Sequence, residues 1–339
     1  MLNRAKEQLL QTDPEQPVER GRAPKRRRRY TYHPRFERVK RIVYRSVTAA
    51  LCGILAVSAW NLISYGAAYL ASVHGSNELR EMYYADHGEE GASVPEAAAT
   101  AVPTRPSVTA SPTAAPQLKA TLPPGTYPDN PHLLMSSRFS RIRRQNEDII
   151  GWLRIEGLVD EAVVQRDNEY YLNRDYKGYH NENGAIFLDE AIHLRTRPYT
   201  LMLYGHNMKT GRMFGGLRNY ENLTYYRNNP FVTFDTVYED GQYVIFAVCT
   251  ISTDVKHWRY VNWAQMTSPV VENREKAISS LFRFSEYSKA IDVQADDQIL
   301  LLFTCVDEQA DRRVIAARRI REDETEAELL KDAQKTRRK

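Results

Sequence analysis

The stretch Leu300-Leu301-Leu302-Phe303-Thr304-Cys305 decides how this chain is read. An unbroken apolar run ends on a cysteine, and eight residues later Arg313 opens a second apolar run, Val314 to Ala317. Short apolar runs of this kind, bounded by polar residues, read as buried strands. A thiol at the end of one strand and a guanidinium at the start of the next make a poor core. They make a good nucleophile beside an oxyanion stabiliser. Upstream, Thr200-Leu201-Met202-Leu203-Tyr204-Gly205-His206-Asn207 delivers a histidine to a strand end in the same way. The three groups together point to Cys/His/Arg acyl transfer.

The strand signal repeats on either side of these runs. Ile149–Ile155, Ala162–Gln165, Ala185–Leu188, Phe231–Phe234 and Gln242–Thr250 read as strands, the last two joined through the hairpin signature Glu239-Asp240-Gly241. Ser136 to Glu147 predicts a basic amphipathic helix. Glu272 to Tyr287 predicts another, because Ala277, Ile278, Leu281, Phe282 and Tyr287 can share one face. Many short strands with few helices imply a mostly β domain, a barrel or sandwich of roughly 190 residues, assigned to residues 134–322. The charged remainder, 323–339, has a helical pattern and is expected to be a solvated appendage.

The net charge of +4 hides an uneven distribution. Twelve Lys/Arg and one acid, Glu37, lie between Arg20 and Arg45, and no charged residue follows from Ser46 to Asn77. A helix needs roughly 20 mostly apolar residues to cross the hydrocarbon layer. Residues 46–73 are therefore expected to form a transmembrane signal anchor, with residues 1–45 as a cytoplasmic basic segment. The positive-inside rule then places the N-terminus in the cytoplasm and the rest of the chain outside. A cleaved signal peptide is disfavoured by the length of the stretch and the long extension before it. Nucleic-acid binding is the other use of such an arginine run, but a topogenic, headgroup-binding role fits better beside an apolar span. Nine of the sixteen prolines fall between Pro95 and Pro131. That composition cannot bury enough apolar surface to order itself, so residues 74–133 read as an extracellular linker.

Three cysteines occur. Cys52 lies in the proposed span, and Cys249 ends an apolar run and reads as a buried structural thiol, which leaves Cys305. A Cys249–Cys305 bridge is the alternative, and it would remove the nucleophile. A free thiol has a pKa of about 8.5, so a neighbouring imidazole or guanidinium is needed to supply thiolate at neutral pH. His206 is the strongest of the eight histidines, with His257 beside Trp258 as its competitor. Strand register turns only one of Arg312 and Arg313 toward the Cys305 end, and Arg313 is favoured. No metal-ligand cluster is evident, and no cofactor is expected.

These blocks, taken in order, resemble the class B sortases, membrane-anchored transpeptidases of Gram-positive bacteria. The resemblance lies in Asp148–Ile155, Val163-Val164-Gln165 with Asn168–Leu172, Gly184–Asp189, Tyr204–Met208 with Met213-Phe214-Gly215, and Thr304-Cys305 with Arg313. The insert from about Ser252 to Asp297 is similar to the family's long loop between the sixth and seventh strands. The resemblance implies an eight-stranded sortase-type β-barrel with an N-terminal helix and a helix in that loop. It implies a cell-surface cysteine transpeptidase (thiol-peptidase class EC 3.4.22) acting on surface proteins that carry a C-terminal sorting signal. Cys305 would attack a Thr–Gly-type carbonyl, His206 would handle protons and Arg313 would hold the oxyanion. A peptidoglycan-precursor or pilin amine would then resolve the thioester. Asn168, Leu172, Tyr204 and Thr304 match positions that line the family's substrate groove. Phe303 departs from the family, which usually has a small polar residue there. A hydrolytic thiol peptidase and a catalytically silent peptide-binding module remain as alternatives.

Overall fold

The computed structural model describes residues 34–85, 127, 129–305 and 311–339. Its strands are β1 (Ile149–Ile155), β2 (Val159–Val164), β3 (Ile186–Leu188), β4 (Thr200–His206), β5 (Phe231–Thr236), β6 (Gln242–Ser252), β7 (Ile299–Cys305) and β8 (Asp311–Arg319). Its helices are α1 (Pro34–Tyr84), α2 (Ser137–Ile142), α3 (Leu223–Asn228), α4 (Trp263–Met266), α5 (Val271–Phe284) and α6 (Glu326–Gln334). The eight strands close into a barrel in the order β1-β2-β3-β4-β7-β8-β6-β5. The neighbours β2–β3 and β4–β7 are parallel. The expected eight-stranded barrel is therefore present, with α2 before it and α5 in the long connection between β6 and β7.

Side chains alternate across each strand, and the two faces feed two cores. Leu153, Val163, Ile186, Leu201 and Leu203 fill the barrel. Trp152, Ala162, Val164 and Phe187 face outward and join a second buried cluster with Tyr171 and the α1 residues Leu79 and Tyr83.

The chain divides into two compact units, residues 1–63 and 64–339. In the first, α1 is exposed. Among the described residues, one helical stretch, Glu37–Ser64, is long and apolar enough to cross a membrane.

In the second unit, two expectations from sequence are corrected. Residue 74 does not begin the linker, because α1 continues to Tyr84. The Tyr83 ring stacks on Trp152 with centroids 4.4 Å apart, and its hydroxyl donates to Asp235 at 2.6 Å. Arg80 Nε pairs with Asp160 at 2.8 Å. Leu79 and Tyr83, one helical turn apart, form a short apolar stripe that polar neighbours conceal in a composition window. Most of the linker, residues 86–126 and 128, lies outside the described residues.

Residues 323–339 are not a free appendage either. Thr325 and Glu328 form a capping box that starts α6, and Leu329 and Ala333 are buried. Beyond α6 the chain pairs with the segment after α5: Ser288 N donates to Arg337 O at 2.8 Å and Lys339 N to Glu286 O at 3.0 Å.

Candidate active site

The parallel ladder between β4 and β7 runs without a slip from Thr200↔Ile299 to His206↔Cys305. Neighbouring strands lie about 4.8 Å apart, so the two strand ends read as catalytic are adjacent in the backbone. Each belongs to an apolar strand that ends on a polar residue, and parallel pairing in equal register brings the two ends level.

His206 is half-buried, and its Nε2 lies 2.5 Å from the carbonyl oxygen of Leu172. A carbonyl only accepts, so Nε2 carries the hydrogen in this contact, and Nδ1 is the ring nitrogen that the contact leaves open. The strand end is fixed from behind. Phe214 N donates to His206 O at 2.9 Å, and Asn207 bridges to Met213, closing the loop that follows the histidine. Gly184 allows the imidazole to sit where it does: with φ at +62°, a Cβ there would lie 2.6 Å from Leu172 O and 3.1 Å from His206 Cδ2.

Leu172 enters the site through its carbonyl, held in the 3-10 turn Tyr170–Asn173. Tyr204 lies between Phe187, at 5.3 Å, and Phe303, at 5.2 Å. Its hydroxyl donates to Asp189 at 2.9 Å. Phe303 in turn meets the edge of Trp263 at 4.7 Å. The residue that departs from the family thus completes an aromatic row from β3 across β4 and β7 to α4. The Asn168 amide is occupied, accepting from Glu190 N at 3.0 Å and donating to Asp189 at 3.4 Å. It staples one loop to the next.

Thr304 corrects the sequence reading. Placed among groove residues there, it is 1% exposed. Its hydroxyl accepts from Arg313 N at 3.1 Å. The reason is register: Thr304 pairs with Gly205, one step out of phase with Tyr204 and Phe303, so its side chain stitches β7 to β8.

Arg313 sits beside this stitch and opposite Thr250 of β6, with Arg312 opposite Ile251. The Arg313 guanidinium is held by two carboxylates, Glu221 at 2.5 Å and Glu286 at 3.7 Å. Its Nη1 is buried without a hydrogen-bond partner. That nitrogen is the one facing Glu286, just beyond hydrogen-bond distance. Arg312 is half-buried.

Cys249 is a buried free thiol whose Sγ donates to Leu281 O at 3.2 Å, so it takes no part in a bridge. Burial pushes its pKa well above the ordinary thiol value. His257 accepts from Arg259 N through Nδ1 and rests against Trp258 in a surface loop. Among the described residues, no group of three His, Cys, Asp or Glu side chains is placed to hold a metal ion.

Glu221 and Glu286 were missed from sequence, and Gly184 was read only as the start of a strand block, not as a residue that shapes the histidine's place. Asn183-Gly184 carries a turn signature that could have flagged the glycine. Two isolated glutamates in a chain with 43 acidic residues carry no such signal.

No family model matches the chain. A sortase B from Listeria monocytogenes is 30% identical over 166 residues, covering 48% of this chain and 65% of the relative's own length. A sortase B from Staphylococcus aureus is 27% identical over 187 residues, 54% of this chain and 74% of the relative. Among solved structures, a Staphylococcus aureus sortase B–substrate complex is similar with a TM-score of 0.51 at 26% identity. That similarity covers 56% of this chain and 88% of that one.

Proposed function

We propose, from its similarity to class B sortases in sequence and in fold, that this chain is a membrane-anchored cysteine transpeptidase. The register pair His206↔Cys305 carries the reading, because it brings a candidate nucleophile and a candidate acid/base together from distant parts of the sequence.

In this mechanism the Cys305 thiol passes its proton to His206 Nδ1, and the resulting thiolate attacks the carbonyl of a Thr–Gly-type bond in a C-terminal sorting signal. The carbonyl π electrons move to oxygen, and the Arg313 guanidinium stabilises the oxyanion. The tetrahedral intermediate collapses with cleavage of the C–N bond, and His206 Nδ1 protonates the departing amine. The resulting thioester is attacked by an amine of a peptidoglycan precursor or a pilin. His206 removes the incoming proton, and the thiolate is regenerated. No cofactor enters these steps. Tyr204 and the Leu172 turn would line the groove for the sorting signal. The apolar stretch of α1 would anchor the domain, with the basic segment on the cytoplasmic side and the barrel outside.

A fluorogenic sorting peptide tests this, with and without added amine. Cys305→Ala is expected to abolish the acyl-enzyme adduct seen by intact mass while leaving the melting curve unchanged. Cleavage by that variant at the wild-type rate would end the proposal. Amine-dependent product separates transpeptidation from hydrolysis.

A further inference from the structure

The segment after α6 brings a second guanidinium to Glu286, one of the two carboxylates that hold Arg313. Arg338 Nη2 lies 3.6 Å from Glu286 Oε2 and 3.4 Å from the Glu221 carbonyl oxygen. The segment is well fixed. Thr336 is buried, and its carbonyl accepts from Arg227 Nε at 2.9 Å. Arg338 bridges to Tyr287, and Glu286, one residue before, is tied to β6 through Val248 O at 2.9 Å. All four charges act on the Tyr287 phenol. Burial first raises its pKa, Glu286 and Glu221 add to that, and Arg338 and Arg313 oppose it.

The arithmetic is simple. Arg313 with Glu221 and Glu286 carries one net negative charge, the wrong sign beside a developing oxyanion. Adding Arg338 brings the cluster to zero. We propose that Arg338 tunes the site by neutralising Glu286, so residues 336–339 serve as an electrostatic strap for the Arg313 guanidinium. This rests on Arg313 acting at the oxyanion.

The test is peptide cleavage by the full chain in detergent, with Arg338→Ala, Glu286→Gln, their double variant and Arg313→Ala. Arg338→Ala is expected to lower kcat about two- to fivefold with KM unchanged, the range of an exposed ion pair. That loss should shrink in about 0.5 M salt, where exposed charges are screened. The double variant should recover most of the wild-type kcat, because removing the carboxylate removes the need for its counter-charge. Arg338→Lys should behave as wild type. A loss in Arg338→Ala that ignores salt, persists in the double variant and follows a lowered Tm would make the strap purely structural and overturn the proposal. Collapse of Arg313→Ala with wild-type kcat in Arg338→Ala would overturn the strap alone. Wild-type kcat in Arg313→Ala would remove the oxyanion reading and the strap with it.

Discussion

Gly184→Ala probes the histidine without touching it. The residue has φ +62°, and a Cβ there would approach Leu172 O to 2.6 Å, Tyr171 O to 2.7 Å and His206 Cδ2 to 3.1 Å. Left-handed backbone costs a non-glycine residue about 1–2 kcal/mol, and overpacking a tight site costs about 1–3 kcal/mol more. The sum, about 2–5 kcal/mol, corresponds to a Tm drop of about 4–20 °C at roughly 2–4 °C per kcal/mol. Bringing the contact with Leu172 O to the 3.4 Å where ordinary van der Waals contact begins requires a shift of 0.8 Å (3.4 − 2.6). That carbonyl holds His206 Nε2, so the imidazole loses its alignment. Misplacement on this scale costs up to about a hundredfold in rate. We expect kcat on a sorting peptide to fall about 10- to 100-fold, assayed below the lowered Tm. Gly157→Ala is the control. Its φ is +68° with nothing within 4 Å, so it should cost only the backbone part and keep wild-type kcat. A Gly184→Ala enzyme that melts lower yet turns over normally would refute the claim that the Leu172 carbonyl orients the histidine.

Other outcomes follow from the same contacts. Arg313→Ala should cost about 3 kcal/mol of transition-state stabilisation, on the scale of a lost oxyanion donor. A larger loss of kcat/KM in Arg312→Ala would transfer the role to that neighbour. Tyr83→Ala removes a ring stacked on Trp152 and should destabilise the domain by about 3–5 kcal/mol, measured by urea unfolding. An unchanged midpoint would mean that α1 contributes nothing to the barrel. Because burial raises the Cys249 pKa, that thiol stays protonated at pH 8, and iodoacetamide should spare it in the native protein and modify it in denaturant. Alkylation of native Cys249 at the rate of a free thiol would contradict its burial.

The chain's local chemistry made much of this legible. Apolar runs ending on Cys305 and His206 announced strands with candidate catalytic termini, and the 3.6-residue period of Ala277, Ile278 and Leu281 announced α5. Such patterns depend on residues a few positions apart, so sequence carries them directly. Where Thr304 faces could not be read the same way. A period of two says that neighbours alternate, but only pairing with Gly205 says which of them turns inward.

The rest was decided by contacts between distant segments. Tyr83 meets Trp152 and Asp235, and Arg313 meets Glu221 and Glu286. Arg338 returns from the far end of the described chain to the Glu286 carboxylate. Each is a single charge or ring whose partner is set by how the barrel closes. Sequence therefore determined which candidate chemistry this protein carries and where its strands end. Tertiary structure decided which groups hold that chemistry in place, because a side chain's partners across the fold leave no mark in the residues beside it.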